Sequence, residues 1–290
     1  MNIHSFIDKY KDKAIHYKPN PGNGGDALIA FAAYKLFKEH QINYTIIGEG
    51  DDLKDKILFY AGGGNLVDNY MDCANFIQEN LATAKEIVLL PHTISGHKEL
   101  LKSLDHKVTL ICREQVSYDY VKSFPNVKNV LLFDDLVLGV DFKSIFKFKS
   151  NVSRLLYVGQ FRNMFSNVYR KRTSLEFFLK KRNDKPVLNA FRIDGEKTAI
   201  AIPEDNVDVS VFINFDSSMS SEVLVTKTVL NFVSFLNQFK VINTNRLHVC
   251  IAGALLGKEV NFYGNSYWKN KSVFDFSVSK RFPNVKWKQN

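Results

Sequence analysis

The sequence predicts an α/β protein with two parallel-sheet units in tandem and a cleft between them. Short β-branched or aromatic runs alternate with helix-forming stretches, and no hairpin turn separates them, which is the pattern of a parallel sheet covered on both faces. The strand signals fade over residues 141–182, where Phe and Lys alternate and a basic helical stretch follows, and then they resume. At 290 residues the chain is long enough for two domains of ordinary size. The boundary falls near 140–150, which gives a first domain over 1–145 and a second, smaller one over 146–290.

Taken in order, residues 14–17 form a short strand that enters Pro19-Asn-Pro-Gly-Asn-Gly-Gly-Asp26. Two prolines and three glycines keep that stretch out of helix and strand alike. It opens a helix over 27–40, apolar on nearly every face and so buried on more than one side. Strands at 44–47 and 57–60 follow, the second ending in Ala61-Gly-Gly-Gly-Asn65. A helix over 72–84 leads to a strand at 86–90, which stops at Pro91-His92. A helix over 98–104 precedes a strand at 108–112 that stops at Arg113-Glu114, and one over 116–123 precedes a strand at 130–133 that stops at Asp134-Asp135. The second half offers strands at 198–202 and 207–213, a helix over 221–237 and a strand at 240–243. A helix over 247–256, a strand at 259–263 and a last helix over 267–276 complete it.

Composition narrows the function classes. Hydrophobic content of 45% and charged content of 24% belong to a soluble globular protein, not a disordered one. The longest apolar run, 27–34, is too short to span a membrane, and the N-terminus lacks the features of a signal peptide, so cytoplasm is the expected location. Cys73, Cys112 and Cys250 lie far apart in apolar settings with no CxxC, which points to buried thiols without metal or disulfide roles. A net charge of +9 favours anionic partners: phosphorylated substrates, an anionic membrane surface or nucleic acid. The basic clusters at 170–172 and 180–182 read as one solvated helix face, and no nucleic-acid-binding signature accompanies them, so nucleic acid is not expected.

A glycine-rich turn feeding a helix presents free N–H groups and the positive end of a helix dipole, a seat for phosphate. The plainer reading is a tight loop that needs glycine. Asp26 in that turn either caps the helix or does chemistry. Residues 22–27 also fit G-x-G-x-x-A, with Glu49 where a ribose-binding acid would sit. Against a dinucleotide site, Asp26 would aim negative charge at a pyrophosphate, and the 18–21 spacer breaks the strand-to-glycine connection. No Gly-Lys-Ser/Thr follows, which excludes a Walker A loop. Asn65, His92, Arg113 and Asp134 all follow strands, placing them on the sheet edge where open parallel sheets bind ligands. Gly63 and Gly64 let a ligand approach the backbone, or simply make a tight turn. Asn243-Thr-Asn-Arg246-Leu-His248 sets Arg and His at a strand end before an apolar helix. An Arg there can grip phosphate or carboxylate and a His can deliver a proton; a structural histidine is the rival reading. His92 and His97 are off the helical i, i+4 register for a metal pair.

These residues carry a family resemblance. Asn23-Gly-Gly25-Asp26 opening a helix resembles the N-x-G-D signature of the polysaccharide pyruvyltransferase family, and Gly62-Gly-Gly64-Asn65 resembles its triple-glycine strand end. Pro91-His92 and Arg113-Glu114 fall where that family has similar strand-end residues. Arg246-Leu-His248 is similar to its R-x-H helix, and Phe191-Arg192-Ile-Asp194-Gly-Glu196-Lys197 to an Arg-bearing segment early in its second half. The resemblance runs from about residue 15 to 265 in the same order.

The resemblance implies two Rossmann-like domains facing a cleft in a GT-B-like arrangement, the N-terminal one on the acceptor side and the C-terminal one on the donor side. It implies transfer of the pyruvyl group of phosphoenolpyruvate to two hydroxyls of a sugar, forming a ketal in exopolysaccharide or surface-glycan biosynthesis. Arg192 and Arg246 would contact the donor, His248 would be the acid, and Asp26 would join it in catalysis. Asn23, Gly25, Gly63, Gly64, Asn65, His92 and Arg113 would line the acceptor side. The acceptor would be a sugar or lipid-linked oligosaccharide, met at the inner face of an anionic membrane, and phosphoenolpyruvate is a co-substrate with no cofactor beside it. The residue types suit that chemistry, which needs a cationic cradle, an acid of moderate pKa and a carboxylate base. A nucleotide-sugar glycosyltransferase of the same fold and a non-catalytic glycan-binding protein are the alternatives; turnover of phosphoenolpyruvate with acceptor present separates all three.

Overall fold

Continuous apolar tetrapeptides and pentapeptides build the centre of the first sheet. In the computed structural model, which describes residues 1–146, 186–198, 200–213 and 220–289, β3 (Ile57–Tyr60) and β6 (Val108–Cys112) are buried at every position. Strands buried on both faces read as unbroken apolar runs, and this is why their bounds match the sequence expectation to the residue. Around them lie β1 (Ala14–Lys18), β2 (Asn43–Ile46), β4 (Gly63–Leu66), β5 (Glu86–Ile94) and β7 (Asn129–Leu132). The seven strands are ordered β2-β1-β3-β5-β6-β7, with β4 pairing β5, and every pair is parallel. The strand order reverses between β1 and β3, which makes their carboxyl ends a switch point.

Two expectations fail in this sheet. β5 does not stop at Pro91-His92 but runs on to Ile94, because β4 gives it a further neighbour, pairing Gly63 with His92 and Leu66 with Ile94. The register with β6 slips between Leu89 and His92, a break at which a proline without an N–H is tolerated. The stretch expected as a turn is itself the strand β4. Gly63 adopts φ +133°, and a Cβ there would stand 2.7 Å from Asn20 Nδ2, so glycine is required.

The second sheet contains β8 (Val187–Ala190), β9 (Val241–Thr244), β10 (Glu259–Tyr263) and β11 (Val285–Lys288), all parallel and side by side in chain order among the described residues. The helices Glu222–Asn237 and Leu247–Leu255 connect β8 to β9 and β9 to β10. The strands expected at 198–202 and 207–213 are not there: the described residues from 191 to 208 carry no strand, and Val209–Phe212 is a short helix. Asp208, at the head of that helix, is held by the guanidinium of Arg246 and the N–H of Ile193. This tertiary tie overrides the alternating Val pattern. The basic clusters at 170–172 and 180–182 lie outside the described residues.

The chain divides into two compact units. The first is built on Met1–Pro21 and Ile29–Gly139, and the second on Gly22–Leu28, Ser221–Asn290 and the described residues between 140 and 213. The three cysteines are free and buried, as expected, and burial pushes each thiol up, away from the reactive thiolate. Among the described residues no helix is long and apolar enough to cross a membrane.

Candidate active site

The glycine turn folds on itself. Asn23 Oδ1 accepts from the Gly25 N–H at 2.8 Å, and Asp26 Oδ2 accepts from the Asn23 N–H at 2.9 Å. The Asn23 carbonyl accepts from the N–H groups of Asp26 and Ala27. Asn23 thus caps the second helical N–H while the Asp26 side chain reaches back to the Asn23 N–H, so the helix Gly24–Glu39 starts three residues earlier than the apolar run suggests. Asp26 therefore does cap the helix, through one of its two oxygens. Gly25 brings the turn against a distant residue: a Cβ on it would stand 3.1 Å from Nδ1 of His248. Asn23, Gly25 and Asp26 thus share one corner of the second unit with His248, across more than two hundred residues of sequence.

His248 is half-buried at the second position of the helix Leu247–Leu255, and Arg246 is that helix's N-cap. The strand ends below are stitched together. Thr244 Oγ1 donates to the Ala190 carbonyl and accepts from the Arg246 N–H, while Asn245 Oδ1 accepts from the Arg192 N–H at 2.8 Å. Both arginines, each 6% exposed, are drawn into a network of carboxylates. Arg246 donates from Nε to Asp208 Oδ1 at 2.9 Å, and its Nη2 lies 2.9 Å from Asp194 Oδ2. Arg192 grips Asp194 through Nε and Nη2 at 2.7 and 3.0 Å and reaches Glu196 through Nη1. Lys269 Nζ also donates to Glu196 Oε2, at 2.6 Å.

Three cations thus face three carboxylates, which is how buried charges are tolerated. The carboxylates are not alike. Glu196 and Asp208 are buried, whereas the Asp194 side chain is 39% exposed and bridges both guanidiniums. Burial works against its charge, but the hydrogen bonds from Arg192 and the charges of Arg246 and Arg192 prevail and hold its carboxyl at about 2. Two planar forks joined by one accessible carboxylate can exchange that partner for another carboxylate or phosphate.

The remaining expected residues lie in the first unit. His92 is wholly buried, with Nε2 accepting from the N–H groups of Asn65 and Leu66 at 2.9 and 3.2 Å and Nδ1 lying 3.2 Å from the Ala61 carbonyl. That pattern puts the ring proton on Nδ1 and makes His92 the strap that carries the backbone of β4. Asn65 Nδ2 donates to Asn20 Oδ1 and Tyr60 Oη, and Asn20 donates to the Gly62 carbonyl. Gly63 and Gly64 are part of β4. Arg113 is fully buried, donating to Thr93 Oγ1 and to Asp135 Oδ2 at 2.9 and 2.8 Å. Its carboxylate partner is Asp135, just past the end of β7.

Sequence reading missed Asn20, Asp194, Glu196, Asp208 and Lys269. Asp194 and Glu196 stand within the segment that drew attention to Arg192, and two carboxylates at i+2 and i+4 from an arginine are a usable signal. Asp208 was hidden in the misread strand, and nothing local marks Lys269. Among the described residues no group of His, Cys, Asp and Glu is arranged to hold a metal ion.

Residues 23–267 match the family model for polysaccharide pyruvyl transferase, from the cap of the glycine turn to the end of β10 and beyond. The chain belongs to the polysaccharide pyruvyl transferase family. A relative of this family member is general stress protein 30 of Bacillus subtilis (strain 168), 26% identical over 287 residues, covering 88% of this chain and 75% of that one. In crystal structures, an uncharacterized protein of Klebsiella pneumoniae subsp. pneumoniae NTUH-K2044 is similar, with 30% identity, a TM-score of 0.79 and coverage of 99% of this chain and 97% of the other.

Proposed function

We propose that this protein transfers the pyruvyl group of phosphoenolpyruvate to two hydroxyls of a sugar, forming a ketal during synthesis of an exopolysaccharide or surface glycan. The observation that carries the proposal is the pairing of Arg246 and His248 on one helix turn, with the Asn23–Gly25 turn packed on the histidine ring. Family membership supports transferase chemistry on a saccharide.

In this reading Arg192 and Arg246 hold the donor's carboxylate and phosphate, and Asp194 is the partner that yields to them. His248 gives its proton to C3 of the enol phosphate, and the positive character that develops at C2 draws the first sugar hydroxyl, whose proton passes to Asp26. Phosphate leaves from C2, the second hydroxyl closes the ketal and its proton goes to solvent. The products are the ketal and inorganic phosphate, and the steps as written need no cofactor. His92 and Arg113 are positioning residues, holding the strand ends near Asn65 and the glycines from below. The reading includes a GT-B-like pairing of an acceptor domain over 1–145 with a donor domain over 146–290. It also includes work at the cytoplasmic face of an anionic membrane, where a net charge of +9 favours contact with a lipid-linked acceptor.

The test is phosphate release from phosphoenolpyruvate with a panel of sugar acceptors, for wild type and His248→Gln. General acid catalysis is worth roughly 10²–10⁴-fold, so the variant should lose that much kcat with little change in donor affinity. Wild-type kcat in the variant would remove His248 as the acid, and no turnover with any acceptor would remove the proposal.

A further inference from the structure

The carboxyl ends of β1, β2 and β3 open onto a cleft of about 410 Å³ within the first unit. It lies where the strand order reverses, the position at which open parallel sheets take ligands, and its volume is in the range of small-molecule pockets. None of the residues considered above for the donor chemistry lines it. Its floor is apolar, with the rings of Tyr60 and Phe76 in contact at 5.1 Å between centroids. Its rim is polar. The helix Asp72–Asn80 turns Asp72, Asn75 and Glu79 toward it, at i, i+3 and i+7 on one helical face. All three are exposed, and their side chains make no hydrogen bond or ion pair with another described residue. Lys18 on the opposite wall is equally free, and Asp51 is anchored by the Gly48 N–H at 2.8 Å.

The charge of the rim decides the ligand class. Three carboxylates face one ammonium, in a chain whose net charge is +9. Such a cleft repels phosphates and carboxylates, the groups that the rest of the chain attracts. Free carboxylates accept strong hydrogen bonds from hydroxyls, while Lys18 and Asn75 can donate to ring and hydroxyl oxygens. An apolar floor under a rim of acceptors and donors suits a polyhydroxylated ring with no acid of its own. We infer that this cleft is a saccharide subsite that seats an uncharged sugar unit and rejects uronic acids and sugar phosphates. That the sugar belongs to the acceptor rests on the pyruvyl-transfer reading; that the cleft binds it does not.

Saturation-transfer NMR without phosphoenolpyruvate tests the inference. The probes are the methyl glycosides of galactose, glucose, mannose and N-acetylglucosamine, against galacturonate, glucuronate and galactose 6-phosphate. At least one neutral glycoside should bind at least tenfold tighter than its acidic counterpart. The double variant Asp72→Asn, Glu79→Gln, exposed at both positions and expected to melt with wild type, should bind the neutral sugar about tenfold weaker and narrow its margin over the uronate. No binding by any neutral glycoside, equal binding of neutral and acidic sugars, or wild-type binding by the variant each overturns the inference. Sensitive sugar binding without phosphoenolpyruvate turnover would sink the transfer reading and leave the subsite standing. Turnover with an acceptor KM that the double variant leaves unchanged would sink the subsite alone.

Discussion

Arg113→Met removes the cation from a buried ion pair while keeping much of the side chain's length. The Arg113 and Asp135 side chains are 1% and 2% exposed, so water cannot replace the lost partner. Asp135 would keep the Val137 N–H at 3.0 Å, and Thr93 Oγ1 would lose its donor. Removing one partner of a buried pair costs about 3–5 kcal/mol, a large share of the ~5–15 kcal/mol that holds most proteins folded. Adding Asp135→Asn neutralises the stranded charge and should return a good part of that loss. The assay must read the first unit, and tryptophan fluorescence does not, because Trp268 and Trp287 both lie in the second. Amide exchange over 108–112, followed by mass spectrometry across a urea series, reports on β6 directly. A loss under about 1 kcal/mol in the single variant, or a double variant no better than the single, would refute the view that this pair holds the sheet.

Three further outcomes are expected. Asp26→Asn keeps an acceptor for the Asn23 N–H, so stability should change by less than about 1 kcal/mol while turnover falls sharply; parallel losses would make Asp26 a cap and nothing more. The Asp194 carboxyl sits at about 2 against an ordinary 3.8, and a depressed folded value means stability present above the ordinary value and lost as pH falls through the folded one. Acid titration followed by tryptophan fluorescence should therefore show the second unit weakening between those two values, with a flatter limb in Asp194→Asn. Gly63→Ala should cost about 1–3 kcal/mol in thermal unfolding, from its positive φ and the Asn20 amide, while Gly139→Ala, with open space around its Cβ position, should be near neutral.

Much of the fold is legible in the chain because burial on both faces leaves a nearly unbroken apolar run, as in β3 and β6. β4 leaves no such mark: Gly-Gly-Asn-Leu has little strand propensity and is extended because β5 and the His92 ring satisfy its backbone. At 207–213 the opposite holds, since a good strand pattern is turned into a helix by an ion pair with a residue 38 positions away. The candidate site divides the same way. Asn23 and Asp26 lie three apart and announce a cap, and Arg246 with His248 marks the start of an apolar helix at a strand end. Their carboxylate partners are contributed by other segments, and pairing between segments has no local signature.

The exposed Asp194 has a consequence for which anions the arginine pair will tolerate. It is tethered two residues from Arg192 and so stands as a competitor at an effective concentration far above that of a free solute. Chloride, sulfate or inorganic phosphate, meeting one fork at a time, has to displace a carboxylate that holds both. An anion carrying two acidic groups at a suitable separation can engage both guanidiniums together and prevail. In the proposed donor role, the built-in counter-ion would act as a filter, keeping the pair unpoisoned by the common anions of its surroundings and open to a bifunctional one.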